Sequence, residues 1–242
     1  MFRRLAYLPL LALLGAADAD VPQARPDRPS VATSAFTTER GALELELGGV
    51  ATEQTFGMVS TLKLGVLDGL DVRVNFAPTF HPDFAVDTLG LQLKWRVVAP
   101  DDGKLGFAIS PFYGQPIYES DPVSLGVIFA VTYPFADGFE LDGNLIFDTF
   151  LDAEDAIVLT PVVNLGFPIA GALSGYGELY LVAGCTVGGD GECHLGRVGA
   201  GAGVAYALRP NVILDAAIDF DVTGEDPLWI AQLGLTGSIF VF

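Results

Sequence analysis

From residue 41 onward, hydrophobic and polar side chains alternate one by one along the chain. Leu43, Leu45 and Leu47, for example, alternate with Glu44 and Glu46. Because successive side chains of a β-strand point to opposite faces, this pattern predicts strands with one apolar face and one polar or small-residue face. No segment repeats apolar residues at helical spacing over the length of a helix. The sequence therefore predicts an all-β protein.

The alternating runs divide the chain into about twelve strands of about ten residues each, the length that a tilted strand needs to cross a bilayer. The connections form two alternating groups, short turns such as Asp68-Gly69 and longer loops such as 185–194. This layout is typical of outer-membrane barrels. The predicted strands are 41–50, 55–66, 70–79, 87–98, 104–114, 123–133, 139–149, 156–167, 174–184, 197–207, 211–222 and 228–242.

Two fold classes, the β-sandwich and the β-barrel, have strands in which polar and apolar residues alternate, and composition distinguishes between them. A secreted β-sandwich, the competing fold, turns its polar face to water, and that face should carry many Lys and Glu. Here only 17% of the residues are charged, 51% are hydrophobic and 29 are glycine. Gly199, Gly201 and Gly203 put small residues on one face, which fits the crowded interior of a narrow barrel. We predict a transmembrane antiparallel up-and-down β-barrel over residues 41–242.

The first 40 residues have a different character. Residues 1–19 combine Arg3 and Arg4 with a short apolar run and the cleavage pattern Ala17-Asp18-Ala19. These features are typical of a secretory signal peptide. Residues 20–40 are rich in Pro and Ser and lack periodicity, which predicts an extended Pro-rich leader or a plug-like strand. We expect the chain to be exported to the bacterial outer membrane, with the signal peptide removed.

A family resemblance supports this expectation. The leader Asp27-Arg28-Pro29-Ser30, the following Gly41-x-Leu43-Glu44-Leu45-Glu46, the turn Tyr133-Pro134-Phe135 and the terminal Phe242 resemble the outer-membrane transporter family associated with the meta pathway of phenol degradation. The resemblance covers residues 27–242. It implies an outer-membrane barrel that passes small solutes, with aromatic or hydrophobic compounds as candidates. A terminal aromatic residue such as Phe242 is also the assembly signal that the barrel assembly machinery recognises.

Charged residues on the polar faces of the strands form the candidate site. Charges in a narrow interior are costly unless they are paired or hydrated. Two interpretations stay open: an acid-biased conduit for cations or neutral solutes, or a packed interior of ion pairs without a through-path. The charged side chains assigned to the lumen are Glu44, Glu46, Lys63, Asp71, Arg73, Lys94, Arg96, Glu140, Asp142, Asp148, Glu178, Arg197, Asp215, Asp219 and Asp221.

The two cysteines, Cys185 and Cys193, are expected to form a disulfide, because paired cysteines in an exported chain usually do so. A metal site that includes His194 would have only three candidate ligands and no matching motif, so neither a metal nor a cofactor is expected. Nucleic acid is an unfavourable partner, since the formal net charge of the chain is −18.

The sequence favours a channel for small solutes by passive diffusion, with outer-membrane lipid and the barrel assembly machinery as further partners. A structural or loop-mediated binding barrel without a through-pore is the alternative. An outer-membrane hydrolase is disfavoured, because His81 and His194 fall in predicted loops and no Ser lies at a recognisable spacing from them. The chain is therefore not expected to be an enzyme.

Overall fold

The computed structural model describes residues 21–27, 29–115, 123–151, 156–186, 193–223 and 228–242, so the predicted signal peptide lies outside the described residues. Twelve antiparallel strands form a closed barrel, with β12 paired to β1. None of the described residues forms a helix that could cross a membrane. The strands are β1 (Ala42–Ala51), β2 (Phe56–Leu67), β3 (Leu70–His81), β4 (Ala85–Val98), β5 (Gly106–Gln115), β6 (Ser124–Ala136), β7 (Phe139–Phe150), β8 (Ala156–Ala170), β9 (Leu173–Thr186), β10 (Cys193–Arg209), β11 (Val212–Asp221) and β12 (Trp229–Phe240).

All twelve predicted strands and the predicted fold class are confirmed, although most strand ends differ by one to four residues. Strand β10 begins at Cys193 rather than at residue 197, because Cys193 pairs across the ladder with Cys185 and the hairpin continues into the predicted loop. Strands β6 and β8 run through Pro134 and Pro168, which were expected to be in turns. The ladder shifts its register beside both residues, and proline, which has no N–H to donate, is tolerated at such bulges.

The barrel is apolar on the outside. Along β4, Leu91, Leu93 and Trp95 are 53%, 47% and 57% exposed, whereas the intervening Lys94 is fully buried. Exposed large hydrophobic residues occur on ten of the twelve strands, all except β1 and β5. A surface of this kind is unfavourable in water and matches the hydrocarbon core of a bilayer. The protein is therefore an outer-membrane β-barrel, and the water-soluble sandwich is excluded.

Aromatic residues gather at both ends of the barrel. Phe56, Phe80 and Phe84 contact one another near the longer loops. At the opposite end, Phe135 stacks on Tyr133 and contacts Phe139. Aromatic rings at these two levels are typical of the girdles that mark the membrane interfaces.

The two ends of the barrel differ in their connections. One end, here called the short-turn end, has tight turns that contain glycines with positive φ, such as Gly69 at 81° and Gly138 at 76°. The other end, the long-loop end, carries the longer connections. The chain also begins and ends its barrel at the short-turn end, where the backbone of Gly41 accepts a hydrogen bond from Val241. In outer-membrane barrels the end with short turns faces the periplasm.

Candidate functional site: the lumen and its plug

The segment before β1 lies inside the barrel. This segment, residues 21–27 and 29–40, is called the plug below. It starts at the short-turn end, where the N–H of Ala24 donates to the carbonyl of Pro210 at 2.9 Å. It then crosses the lumen to Glu178 on β9 and returns to Asp71 at the start of β3. The plug therefore enters and leaves through the same end of the barrel.

Polar side chains on the inner wall accept hydrogen bonds from the backbone N–H groups of the plug, which is not part of the strand ladder. A buried N–H group without a partner is costly, and the wall supplies acceptors along the whole path. The N–H donors and their side-chain acceptors are Arg25–Glu44 (2.8 Å), Asp27–Glu46 (3.0 Å), Val31–Glu178 (3.0 Å), Thr33–Asn144 (2.6 Å), Ala35–Thr132 (2.6 Å) and Thr38–Asp71 (2.9 Å). The inner faces of the strands are thus built to hold an extended peptide.

Asp27 is the centre of the plug's ionic contacts. Its carboxylate lies 2.9 Å from Nζ of Lys63 and 3.3 Å from Nζ of Lys94, and it also pairs with Arg73. The hydroxyl of Thr33 donates to the same carboxylate at 2.5 Å. Burial disfavours the charged carboxylate, but the three cations outweigh burial and hold the pKa of Asp27 well below its usual value. Asp27 is therefore ionised throughout the neutral and mildly acidic pH range.

The far end of the plug rests on the opposite wall. Glu178 accepts hydrogen bonds from the Ser30 hydroxyl at 2.6 Å and from the N–H of Val31. Ala32 is buried in an apolar cluster with Val162 and Tyr180. The plug is therefore clamped from both sides of the lumen, by cations on β2–β4 and by an acceptor carboxylate on β9.

The plug separates two cavities. On the long-loop side lies a cavity of about 170 Å³, and on the short-turn side lies one of about 440 Å³. Asp27, Ser30 and Ala32 line both of them. These three residues of the plug therefore lie between the two cavities.

The charged residues predicted for the lumen divide into two groups by burial. Four are half-buried, namely Arg96, Glu140, Asp148 and Arg197. Glu44, Glu46, Lys63, Asp71, Arg73, Lys94, Asp142, Glu178, Asp215, Asp219 and Asp221 are buried.

Several of these charged residues form ion pairs with one another. Lys63 lies 3.0 Å from Glu44 and also pairs with Glu46, and Nε of Arg73 lies 2.6 Å from Asp71. On the other side of the barrel, Nε of Arg197 lies 3.3 Å from Asp221. Arg96 stands apart from these pairs, beside a third cavity of about 470 Å³ at the short-turn end. The interior therefore combines the ion pairs of a packed core with cavities on either side of the plug.

Several residues that hold the plug were absent from the sequence prediction. In the sequence Asp27 stands out only as part of the family motif, and the neutral acceptors Thr132 and Asn144 carry no charge that would single them out. The alternation along β6 and β7 does assign both acceptors to the inner face, so a search of inward polar residues of any charge would have found them. No comparable signal marks Asp27, because the plug has no periodicity.

The predicted disulfide between Cys185 and Cys193 is present and joins β9 to β10 at the long-loop end. The placement of both histidines in loops was wrong, since His81 ends β3 and His194 follows Cys193 in β10. Both side chains are exposed. Within the described part of the chain, no group of three or more His, Cys, Asp or Glu residues is arranged to hold a metal ion.

Gly65 on β2 provides a test of how closely the plug fits. A β-carbon at this position would lie 1.9 Å from the carbonyl oxygen of Glu39 and 2.8 Å from that of Thr38. We expect Gly65→Ala to push the end of the plug off the wall, at a cost of about 1–3 kcal/mol. Gly143→Ala is the control, because a methyl group there would meet open space. Guanidinium titration of the two refolded variants measures the difference, and equal midpoints would contradict the contact.

Solved outer-membrane proteins share this fold. A channel from Pseudomonas putida F1 superposes with a TM-score of 0.66 at 9% identity, covering 93% of this chain and 100% of that one. The NanC porin gives a TM-score of 0.60 at 9% identity, covering 83% and 100% of the two chains, and the KdgM porin gives 0.58 at 7% identity, covering 80% and 98%. At such identities the likeness concerns the fold.

The chain matches no curated protein sequence. A sequence profile of the family described as "Putative MetA-pathway of phenol degradation" matches residues 27–235. This range extends from the ionic centre of the plug into the last strand of the barrel. The match and the barrel together confirm the resemblance seen in the sequence, and the protein belongs to this family.

Proposed function

We propose that the protein is an outer-membrane channel for small solutes and that the plug is its gate. The observation that carries this proposal is the position of Asp27, Ser30 and Ala32 between two cavities of the lumen. A solid structural barrel has no need of space on both sides of a segment that polar contacts hold. Movement of the plug would join the two cavities into one path.

The side chains around the path suggest which solutes it takes. Above the plug, Ile128 lines the cavity on the long-loop side, and Ile146 and Val182 pack next to the buried apolar cluster. Below the plug, Glu140 and Asp142 line the cavity of about 440 Å³ on the short-turn side. The acidic walls below the plug favour neutral solutes over inorganic anions in passive diffusion, and the few apolar groups above it, set among polar ones, suit a solute with a small apolar or aromatic body.

Deletion of residues 21–35 tests the gate directly. We expect the intact protein to show low conductance in planar bilayers and little solute flux into liposomes, and the deletion variant to show a large, stable increase in both. A shift in gel mobility between boiled and unboiled samples would establish that the deletion variant is folded. A folded variant that conducts no better than the intact protein would overturn the proposal in favour of a barrel without a through-pore.

Enzymatic function is not proposed for this barrel. The exposed His81 and His194 are separate from the plug and from the wall that holds it. The solved structures with the same fold are named as channels and porins. The interior is therefore better accounted for by a gated path than by a catalytic centre.

A further inference from the structure

We propose that Lys63, Arg73 and Lys94 form a receptor for the carboxylate of a small organic acid, and that Asp27 occupies this receptor as an internal ligand. In this view an external carboxylate displaces Asp27 and releases the plug. The inference rests on the proposed function, since the same plug is the gate. It adds the chemical class of the ligand that opens the gate.

The barrel wall builds this receptor without help from the plug. Lys63 on β2 stands directly opposite Arg73 on β3, and Asp71 on β3 stands opposite Lys94 on β4. Asp71 holds the guanidinium of Arg73 through Nε at 2.6 Å and Nη2 at 3.1 Å, which leaves Nη1 for Asp27. These positions follow from strand register and from pairs within the wall. The three cations therefore stay side by side on adjacent strands of the wall when the plug is absent.

Lys94 is the group that most needs an anion once the plug has moved. Its side chain is fully buried, and its hydrogen-bond partners are Asp27 at 3.3 Å and the hydroxyl of Thr33 at 2.7 Å. Both partners belong to the plug. Withdrawal of the plug would leave a buried ammonium without these contacts, a costly arrangement that an incoming carboxylate relieves.

An external solute can reach the receptor from the side opposite to the plug's tether. Asp27, Lys63 and Arg73 line the cavity of about 170 Å³ on the long-loop side, together with Ile128. A cavity of about 150 Å³ is large enough for a benzene molecule. A carboxylate with one small apolar body, of which benzoate is an example, therefore matches the available space, the cationic groups and the apolar side chain of Ile128.

The exchange is balanced in charge and is competitive. One carboxylate replaces another, so the net charge around the three cations does not change. Asp27 is tethered to the receptor, and short tethers give effective concentrations on the order of millimolar. We therefore expect an external carboxylate to release the plug at millimolar concentration and to bind more tightly when Asp27 is absent.

The release of the plug can be followed with a thiol placed at Ser34, a half-buried plug residue that lines the cavity on the short-turn side. The native cysteines are joined in a disulfide, so Ser34→Cys adds the one reactive thiol among the described residues. We expect benzoate to speed maleimide labelling of this variant several-fold. Benzamide, which has the same shape without the charge, should have no such effect, and acetate, which has the charge without the ring, should have a smaller one.

Binding of benzoate, measured by calorimetry, tests the receptor itself. We expect Asp27→Asn and the 21–35 deletion to bind benzoate at least about ten times more tightly than the intact protein, because competition is removed. Adding Lys94→Met to either background should abolish this gain.

The proposal falls if benzoate and benzamide act alike, or if neither variant gains affinity for benzoate. A deletion variant that conducts freely while benzoate has no effect would refute the receptor and leave the channel intact. A deletion variant that does not conduct but still gains affinity for benzoate would refute the channel and leave the receptor intact.

Discussion

Replacing Asp27 with asparagine should release the plug while the barrel stays folded. The change leaves three buried cations facing a neutral amide, and Lys94 loses the charge of its ionic partner in the plug. Removing one partner of a buried ion pair costs about 3–5 kcal/mol. A loss of about 3 kcal/mol changes the ratio of docked to undocked plug by roughly 100-fold. The strand ladder contains no contact of Asp27, so the barrel itself should keep its stability.

Maleimide labelling in the Ser34→Cys background and planar-bilayer conductance measure this effect, and both should rise in Asp27→Asn. Asp101→Asn is the matched control. Asp101 forms an exposed ion pair with Lys104 in the turn before β5, and exposed pairs contribute little. We call the ionic contacts of Asp27 with Lys63, Arg73 and Lys94 the latch of the plug. If the two variants behave alike, these contacts do not hold the plug in place.

The same latch predicts how the plug responds to pH. Asp27 has a pKa below its ordinary value in the folded protein, so its contribution is fully present above the ordinary pKa of an aspartate. The contribution decreases as the pH falls through the lowered value. Labelling at Ser34→Cys should therefore stay slow at neutral and mildly acidic pH. In Asp27→Asn this part of the pH dependence should disappear.

An arginine at the middle of the lipid-facing surface should destabilise the barrel strongly. Leu91 lies midway along β4 with its side chain 53% exposed on the outer face. An arginine at the bilayer midplane costs about 2–4 kcal/mol, whereas near the interface the cost falls to about 0–1 kcal/mol. We therefore expect Leu91→Arg to cost several times more than Val98→Arg, at the end of the same strand.

Denaturant titration of the two variants, folded into lipid vesicles and followed by tryptophan fluorescence, provides the measurement. Both substitutions introduce the same side chain on the outside of the same strand, so a difference between them reports depth in the membrane. Equal costs would show that the apolar belt does not sit in the bilayer as the fold implies.

The barrel was predictable because each strand carries its own signal. In β4 the alternation of Leu91, Leu93 and Trp95 with inward residues fixes the faces without reference to any other strand. The turn at Gly69 is equally local, since the chain there needs a positive φ. Local patterns of this kind repeat twelve times, and their errors were confined to strand ends such as that of β10.

The plug and its latch were not predictable in the same way. The ionic contacts of Asp27 reach residues on three strands, and their convergence depends on the register between those strands. A shift of one residue in β3 would turn Arg73 outward, away from Asp27. The alternation assigned Lys63 and Lys94 to the interior but could not indicate which carboxylate they would share. Only the assembled barrel brings the four charges together.

Because the plug goes in and comes out at the same rim, it can be withdrawn as a loop without unpairing any of the twelve strands. The free energy of gating is then set by a handful of polar contacts in the lumen, and the free energy of unfolding by the ladder and the lipid around it. Single substitutions in these contacts would therefore change the free energy of plug release, while the stability of the barrel stays unchanged.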